Sequence, residues 1–378
     1  MKSMLMLTSV ASMVDQFFIP HIELLIRMGY KVDVACNFES GSTCTDKDVE
    51  RLKKQLEGMN VDYYQIDFDR SITNLKGNYK AYKQVKKIIL DNKYQFIHCH
   101  SPIGGVIGRL VGKSTKTKVL YTAHGFHFHK KSPRANWIIY YTAEKLCSYL
   151  TDGLITINEE DYTLAKRKMK AKNVFYIPGI GIDFNRDFLP NEDKGAIRRE
   201  IGIPEDAFLL TSVGELSHRK NHRVIIEAIS KLKNNNIHFA IMGKGSLENE
   251  LRELSKSLGL EDRIHFLGYR NDVIRINYSA DAFCFPSRIE GLGIAALEAM
   301  ASEIPVITSD IHGINDYSIN GKTGFKCGPD DVDGFAKAIK TLIENEELRK
   351  EMGAYAREKT KEFDLTVVLD KLEEIYSM

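Results

Sequence analysis

Short apolar runs rich in β-branched residues recur along the chain, and between them apolar positions repeat at helical spacing. The runs at 4–7, 31–35, 62–66, 96–99, 118–122 and 153–156 read as strands. A second series lies at 208–213, 238–242, 264–267, 282–285, 305–307 and 323–326. Amphipathic stretches such as 17–28, 80–91 and 222–233 read as helices. Strands alternating with helices predict βαβ units and parallel sheets. Two series of strands are too many for one sheet, so the pattern predicts an α/β protein with two doubly wound domains. Pro178, Gly179, Gly181, Pro190, Gly202 and Pro204 form the densest cluster of breakers. The expected domains are therefore 1–185 and 186–360, with a last helix in 361–378 packing across both.

The chain has 378 residues, 43% hydrophobic and 28% charged. That is the composition of an ordinary globular protein, which excludes wholesale disorder and fibrous repeats. No run approaches ~18 consecutive apolar residues, so no spanning helix is expected. The opening Met1-Lys2-Ser3-Met4-Leu5-Met6-Leu7 has no small-residue cleavage site and reads as a first strand, not a signal peptide. Cys36, Cys44, Cys99, Cys147, Cys284 and Cys327 lack paired metal-ligand spacing. They read as reduced, mostly packed thiols of a cytosolic protein.

Charge adds a division that the net +2 conceals. Residues 1–186 hold 28 Lys and Arg against 18 Asp and Glu, and the remainder 25 against 33. Halves of opposite sign imply domains with different neighbours.

Three clusters could carry chemistry. In Phe285-Pro286-Ser287-Arg288-Ile289-Glu290-Gly291-Leu292-Gly293 a strand gives way to a helix beginning near Gly293. Glycines at a helix start let a phosphate approach the free N–H groups and the positive end of the dipole. Glu298 follows Glu290 by eight residues, up to ~12 Å along a helix, the span from sugar to ribose in a nucleotide-diphosphate sugar. A helix-capping Glu290 with a solvated Glu298 accounts for the same spacing. The second cluster, Val213 to His222, follows the first strand of the second domain. It carries Arg219 and Lys220, either beside a diphosphate or in a solvated turn.

The third cluster, Thr122-Ala123-His124-Gly125-Phe126-His127-Phe128-His129, reads as a substrate-facing loop after a strand. A metal site of His124, His127 and His129 competes with that reading, but no carboxylate or cysteine stands beside them at ligand spacing. His98 and His100 share a face at a strand end, and a hydrogen-bonded role suits His98. Gly104-Gly105-Val106-Ile107-Gly108 lacks dinucleotide-fingerprint spacing and predicts close helix packing.

Together these clusters resemble the retaining GT-B glycosyltransferases of family 4, especially those of capsule, exopolysaccharide and lipid-linked glycan assembly. The likeness includes the Leu7-Thr8-Ser9 loop, the turn from Val213 to Lys220, the Glu290-x7-Glu298 pair and Gly321-Lys322-Thr323-Gly324-Phe325. It implies two Rossmann-like domains facing a central cleft, with the last helix crossing back. It also implies that Lys220, helped by Arg219, holds the diphosphate of a nucleotide-sugar donor, UDP-linked in the expected case. Glu290 would contact the transferred sugar, and backbone N–H groups of Gly291, Leu292 and Gly293 would face phosphate or sugar. Glu298 would bind the ribose, Tyr269 and Arg270 would flank the base, and His124 would touch the donor sugar near the reacting carbon.

The implied reaction retains anomeric configuration and uses neither a resident cofactor nor a metal. The implied acceptor is a lipid-linked saccharide, met from the cytoplasm at the inner face of the cell membrane; no nucleic-acid partner is expected. Basic residues fit an anionic surface, notably Lys130, Lys131 and Arg134 followed by Trp137, Ile138, Ile139, Tyr140 and Tyr141. Solvated helix faces, with Trp137 and Ile138 in the core, fit the same residues. Three positions depart from the family: Glu215 stands where relatives often have arginine, Ser9 to Met13 replace a glycine-rich loop, and Asp316 replaces a frequent glutamate. A nucleotide-sugar 2-epimerase of the same fold and a non-catalytic partner in glycan assembly are the alternative functions.

Overall fold

The strands pair in parallel throughout, as βαβ alternation demands. The computed structural model describes residues 2–40, 44–69, 74–130, 132 and 134–378. It divides the chain into one unit of Met1–Ile180 with Thr366–Met378 and a second of Gly181–Leu365. The division falls a few residues before the boundary expected at 185, and the residues from Thr366 onward belong to the first unit.

In the first unit the strands are β1 (Lys2–Val10), β2 (Tyr30–Asn37), β3 (Asp62–Gln65), β4 (Phe96–His100), β5 (Lys118–Ala123), β6 (Gly153–Thr156) and β7 (Asn173–Tyr176). Their order in the sheet is β3-β2-β1-β4-β5-β6-β7. Met4 to Leu7 are wholly buried, which explains the unbroken apolar run: a central parallel strand is covered on both faces. β7 was not anticipated. It is four residues long and sits at the edge of the breaker cluster, yet it pairs with β6 from Gly153↔Asn173 to Thr156↔Tyr176.

The helix Pro102–Thr115 lies against this sheet through its glycines. A Cβ on Gly105 would meet the Tyr121 ring, one on Gly108 would overlap the Cys99 sulfur, and one on Gly112 would strike Val119. The Gly104–Gly108 stretch is thus a packing device, as its spacing predicted.

The second unit carries β8 (Phe208–Val213), β9 (Ile237–Met242), β10 (Ile264–Gly268), β11 (Ala282–Phe285), β12 (Val306–Ser309) and β13 (Gly324–Cys327). Their order is β10-β9-β8-β11-β12-β13. In each unit the strand order reverses once, between β1 and β4 and between β8 and β11. Ligands of open parallel sheets bind outside the carboxyl ends of the strands at such switch points.

The C-terminal helix, Leu365–Ser377, brings Tyr376 into the core of the first unit. The His98 Nδ1 is 2.8 Å from Tyr376 Oη and its Nε2 is 2.8 Å from Thr122 Oγ1. Burial, reinforced by neighbouring imidazoles, lowers the His98 pKa to about 3. Burial also lowers His21 and His124 to about 4. Unfolded imidazoles titrate near 6.5, so below that pH the unfolded chain binds more protons than the folded one. The stability these rings contribute is whole above pH ~6.5 and drains as pH falls toward the folded values. The melting temperature should drop between pH 6.5 and 5 at constant ionic strength, and less steeply in His98→Gln. A flat profile would mean that the rings are solvated.

Candidate active site

At the switch point of the second sheet, the loops after β8 and β11 meet. The first loop turns back through hydrogen bonds from the Lys220 and Asn221 N–H groups to Ser217 O, both 3.1 Å. Asn221 then takes φ +57°, a left-handed conformation that asparagine tolerates better than most residues. Its buried amide donates to Pro286 O at 3.2 Å and Pro329 O at 2.7 Å, and accepts from Arg288 Nη2 at 3.1 Å. A backbone bond from Arg288 N to Arg219 O, 2.8 Å, ties the two loops a second time.

This stapling places Lys220 Nζ 2.5 Å from Glu290 Oε2 and Arg219 Nη1 3.3 Å from the same oxygen. The Lys220 and Glu290 side chains are 12% and 14% exposed, whereas Arg219 reaches solvent. Lys220 Nζ also lies 4.6 Å from the centroid of the Phe285 ring, a cation–π contact. Burial lowers the Lys220 pKa; Glu290 opposes that shift and Arg219 adds to it. Gly293 takes φ +91° at the head of the helix Ile294–Ala301, and a Cβ there would run into Phe285. Gly291 is partly exposed, while Leu292 buries its side chain. Glu215, the departure from the family pattern, is exposed yet near enough to Lys220 to oppose its depression.

Glu298 is not a solvated carboxylate. Arg186 Nη1 holds its Oε1 at 2.5 Å. Arg186 had no signal in the sequence: it is a lone arginine in an aperiodic stretch. Tyr269 and Arg270 follow β10, the edge strand of the sheet. Tyr269 is 67% exposed, and Arg270 forms a fork to Asp272 at 2.8 and 2.6 Å. Among the described residues no hydrogen bond or ion pair joins either of them to the Lys220–Glu290 group.

His124 belongs to the first unit, at the carboxyl end of β5. Its Nε2 is 3.1 Å from His100 Nδ1, and both rings lie near Phe18. With its pKa lowered to about 4 by burial, His124 is neutral at pH 7, so its ring can act as a hydrogen-bonding group but not as a charge. The three histidines of the competing metal reading diverge: His124 turns to His100, His127 stacks on Tyr140 at 4.9 Å, and His129 is buried. Among the described residues no group of three or more His, Cys, Asp or Glu is arranged to hold a metal ion.

Comparison with known proteins bears on this geometry. Residues 9–158 match the glycosyl transferase 4-like family and residues 193–359 match the glycosyl transferases group 1. EpsD of Bacillus subtilis strain 168, which carries a glycosyltransferase name, is 34% identical over 369 residues, 96% of this chain and 92% of its own. The UDP-Gal:alpha-D-GlcNAc-diphosphoundecaprenol alpha-1,3-galactosyltransferase of Escherichia coli is 30% identical over 81% of this chain and 80% of its own. HepE of Anabaena, solved in complex with UDP and glucose, shares the fold at a TM-score of 0.81 over the full length of both chains, with 18% identity. With relatives of this identity along nearly its whole length, the chain belongs to the family 4 glycosyltransferases of GT-B fold.

Proposed function

We propose that the chain transfers a sugar from a nucleotide-diphosphate donor, a UDP-sugar, to a lipid-linked saccharide in polysaccharide assembly. The transfer retains the anomeric configuration and needs neither metal nor resident cofactor. The observation that carries this reading is the half-sequestered Lys220–Glu290–Arg219 group at the switch point of the second sheet. The name of the Escherichia coli relative, which joins a UDP-sugar to a diphosphoundecaprenol-linked sugar, supports the donor and acceptor classes.

In this reaction the bond between the anomeric carbon and the diphosphate oxygen breaks, and a bond to an acceptor hydroxyl oxygen forms. The hydroxyl proton leaves on the diphosphate, so the charge to be stabilised develops on that leaving group. Lys220 and Arg219 supply two cations in a partly desolvated place, where preorganised charge acts most strongly. Glu290 positions them while apo and meets the transferred sugar when the donor is bound. Glu298, oriented by Arg186, receives the ribose hydroxyls, the Gly291-to-Gly293 backbone faces phosphate or sugar, and Tyr269 and Arg270 flank the base. A retaining hydrolase instead uses two carboxylates about 5 Å apart on either side of the scissile bond. Here Glu290 and Glu298 each have their own cationic partners, which favours same-face attack over a glutamyl intermediate.

Lys220→Ala should lower turnover about 10²-fold or more, by analogy with other lost electrostatic stabilisers, in a protein that still folds. Near-normal turnover in that variant would sink the assignment. Activity should survive EDTA, because protein cations carry the leaving-group charge. Loss on chelation with recovery on Mg²⁺ or Mn²⁺ would overturn the metal-free reading.

The first unit is proposed to meet the cytoplasmic face of an anionic membrane peripherally. No helix among the described residues is long and apolar enough to cross one. Within the aromatic stretch the side chains divide. Trp137 turns inward, its ring 5.5 Å from that of Phe128 and its Nε1–H donated to His129 O, while Ile138 and Ile139 are 71% and 63% exposed. Ile138 is therefore a surface residue and not part of the core. Arg134 is also exposed, and Lys131 lies outside the described residues. The chain should co-sediment with anionic vesicles at low salt and be released at high salt, and Lys130→Glu with Arg134→Glu should weaken binding. Indifference of the wild type to such vesicles at low salt would favour a soluble acceptor.

A further inference from the structure

The first unit holds a partly open cavity of about 680 Å³, within the range of roughly 300–1,000 Å³ that takes one small ligand. Tyr79 and Tyr82 of the helix Leu75–Asn92 form one wall, and Val106 and Leu110 of Pro102–Thr115 another. Phe128 and Tyr140 close it from the loop after β5 and the π-helical turn Trp137–Tyr141. Glu144, the one carboxylate in the lining, is already engaged: Arg109 forks onto it at 2.8 and 3.2 Å, and Tyr121 Oη donates to it at 3.3 Å. Asn78, His124 and His127 also line it, but most of the lining is apolar, and its carboxylate is matched by Arg109.

The rim differs. Tyr79, more than half exposed, stacks on Tyr82 with the ring planes 7° apart. Lys83 Nζ stands 4.5 Å from the Tyr79 ring centroid, and Lys86 Nζ 5.9 Å from that of Tyr82. Among the described residues no ion pair engages either lysine. A partly open apolar space beside cations that no ion pair among the described residues engages matches an amphiphile with an apolar chain and an anionic head. A free saccharide is a poor occupant, since hydroxyl groups against Val106 and Leu110 would lose their hydrogen bonds to water. A phospholipid brings two chains to one head, and a cavity of this volume takes one small ligand.

We propose that this cavity takes the first units of the isoprenoid chain of a prenyl diphosphate, with Lys83 and Lys86 meeting its phosphates. The inference rests on the lipid-linked acceptor proposed above and says where the carrier binds. Trp137 is the sole tryptophan of the chain, and its ring packs on Phe128 of the lining, so its emission reports occupancy. Farnesyl diphosphate, titrated below its aggregation concentration into the full chain, should change that emission saturably. Farnesol and inorganic diphosphate should each bind about tenfold or more weakly, because each lacks one end of the amphiphile. Val106→Phe, which fills the cavity, should weaken farnesyl diphosphate to a similar extent at an unchanged melting temperature. Ala143→Phe, from the opposite wall, serves if Val106→Phe does not fold. Lys83→Glu with Lys86→Glu should also weaken it and flatten the salt dependence.

No saturable change, equal binding by the filled variants, or equally tight binding of dodecyl phosphate would overturn the proposal. Transfer assays separate this failure from failure of the acceptor reading. A prenyl-diphosphate-linked acceptor with the same KM in wild type and the filled variant overturns the cavity alone. A wild type that glycosylates the free saccharide as well as its prenyl-linked form overturns the lipid-linked acceptor, and with it the proposal.

Discussion

The ion pair of Lys220 with Glu290 is the constraint around which the second unit is arranged. An ammonium and a carboxylate withdrawn from water are costly unless each has a partner in good geometry. The sheet provides that geometry by reversing its strand order between β8 and β11, so that the two loops leave neighbouring strands on the same edge. Asn221 then locks the two loops together through Pro286 and Arg288, and ties them to Pro329 after β13 with a third hydrogen bond. Phe285 has two functions at once, since its ring lies under the Lys220 ammonium and against Gly293. A side chain at Gly293 would displace the ring, and the lysine would lose its apolar support. Under the proposed function, a donor diphosphate entering here would meet a Lys220 ammonium whose position is already set, which would leave little reorganisation for the moment of reaction.

The first unit solves the opposite problem. Apart from the buried Arg109–Glu144 pair, it suppresses charge: His21, His98, His100 and His124 are all held neutral by burial. Imidazoles this near one another would repel if protonated, and His98, His100 and His124 are depressed further for that reason. What remains at the carboxyl ends of β4 and β5 is a pair of neutral rings, His100 and His124, in contact with each other beside a cavity with mostly apolar walls. The excess of basic residues in residues 1–186 is thus carried by the surface rather than by this interior.

How far the sequence could be read follows from the range of each signal. The strands of both central sheets were legible because burial on both faces writes a continuous apolar run into four or more residues, as in Met4 to Leu7. The meeting of Lys220 with Glu290 was legible because a family motif and a strand-to-helix junction coincide. β7 was not, since an edge strand of four residues beside Pro178 and Gly179 leaves too short a pattern. Arg186 was missed for a different reason. Its contact with Glu298 spans 112 residues of sequence, and nothing local to either residue announces it. The stretch around Trp137 was legible in composition but not in orientation. Only the π-helical turn decides that Trp137 and Tyr141 face Phe128 while Ile138 and Ile139 face outward.

The C-terminal helix has the same long-range character with a larger consequence. Tyr376 accepts a hydrogen bond on its carbonyl oxygen from Tyr30 Oη at 3.3 Å, stacks on Phe96, and satisfies His98. These three partners lie on β2 and β4, in the middle of the first sheet, so the helix Leu365–Ser377 completes the core of the first unit. Without them His98 would keep a buried ring nitrogen with no partner, and an unmet buried polar group costs about 1–3 kcal/mol. The first unit is therefore discontinuous in sequence, and the whole of the second is inserted between Ile180 and Thr366. Loop-closure entropy grows only slowly with length, so an insertion of this size is tolerable if the inserted chain folds on its own core. The second unit has that core, a cluster from Phe208 through Met352 built on its own parallel sheet. The donor-type charge cluster and the histidine edge thus belong to two separately packed bodies, joined because the chain leaves the first unit and returns to finish it.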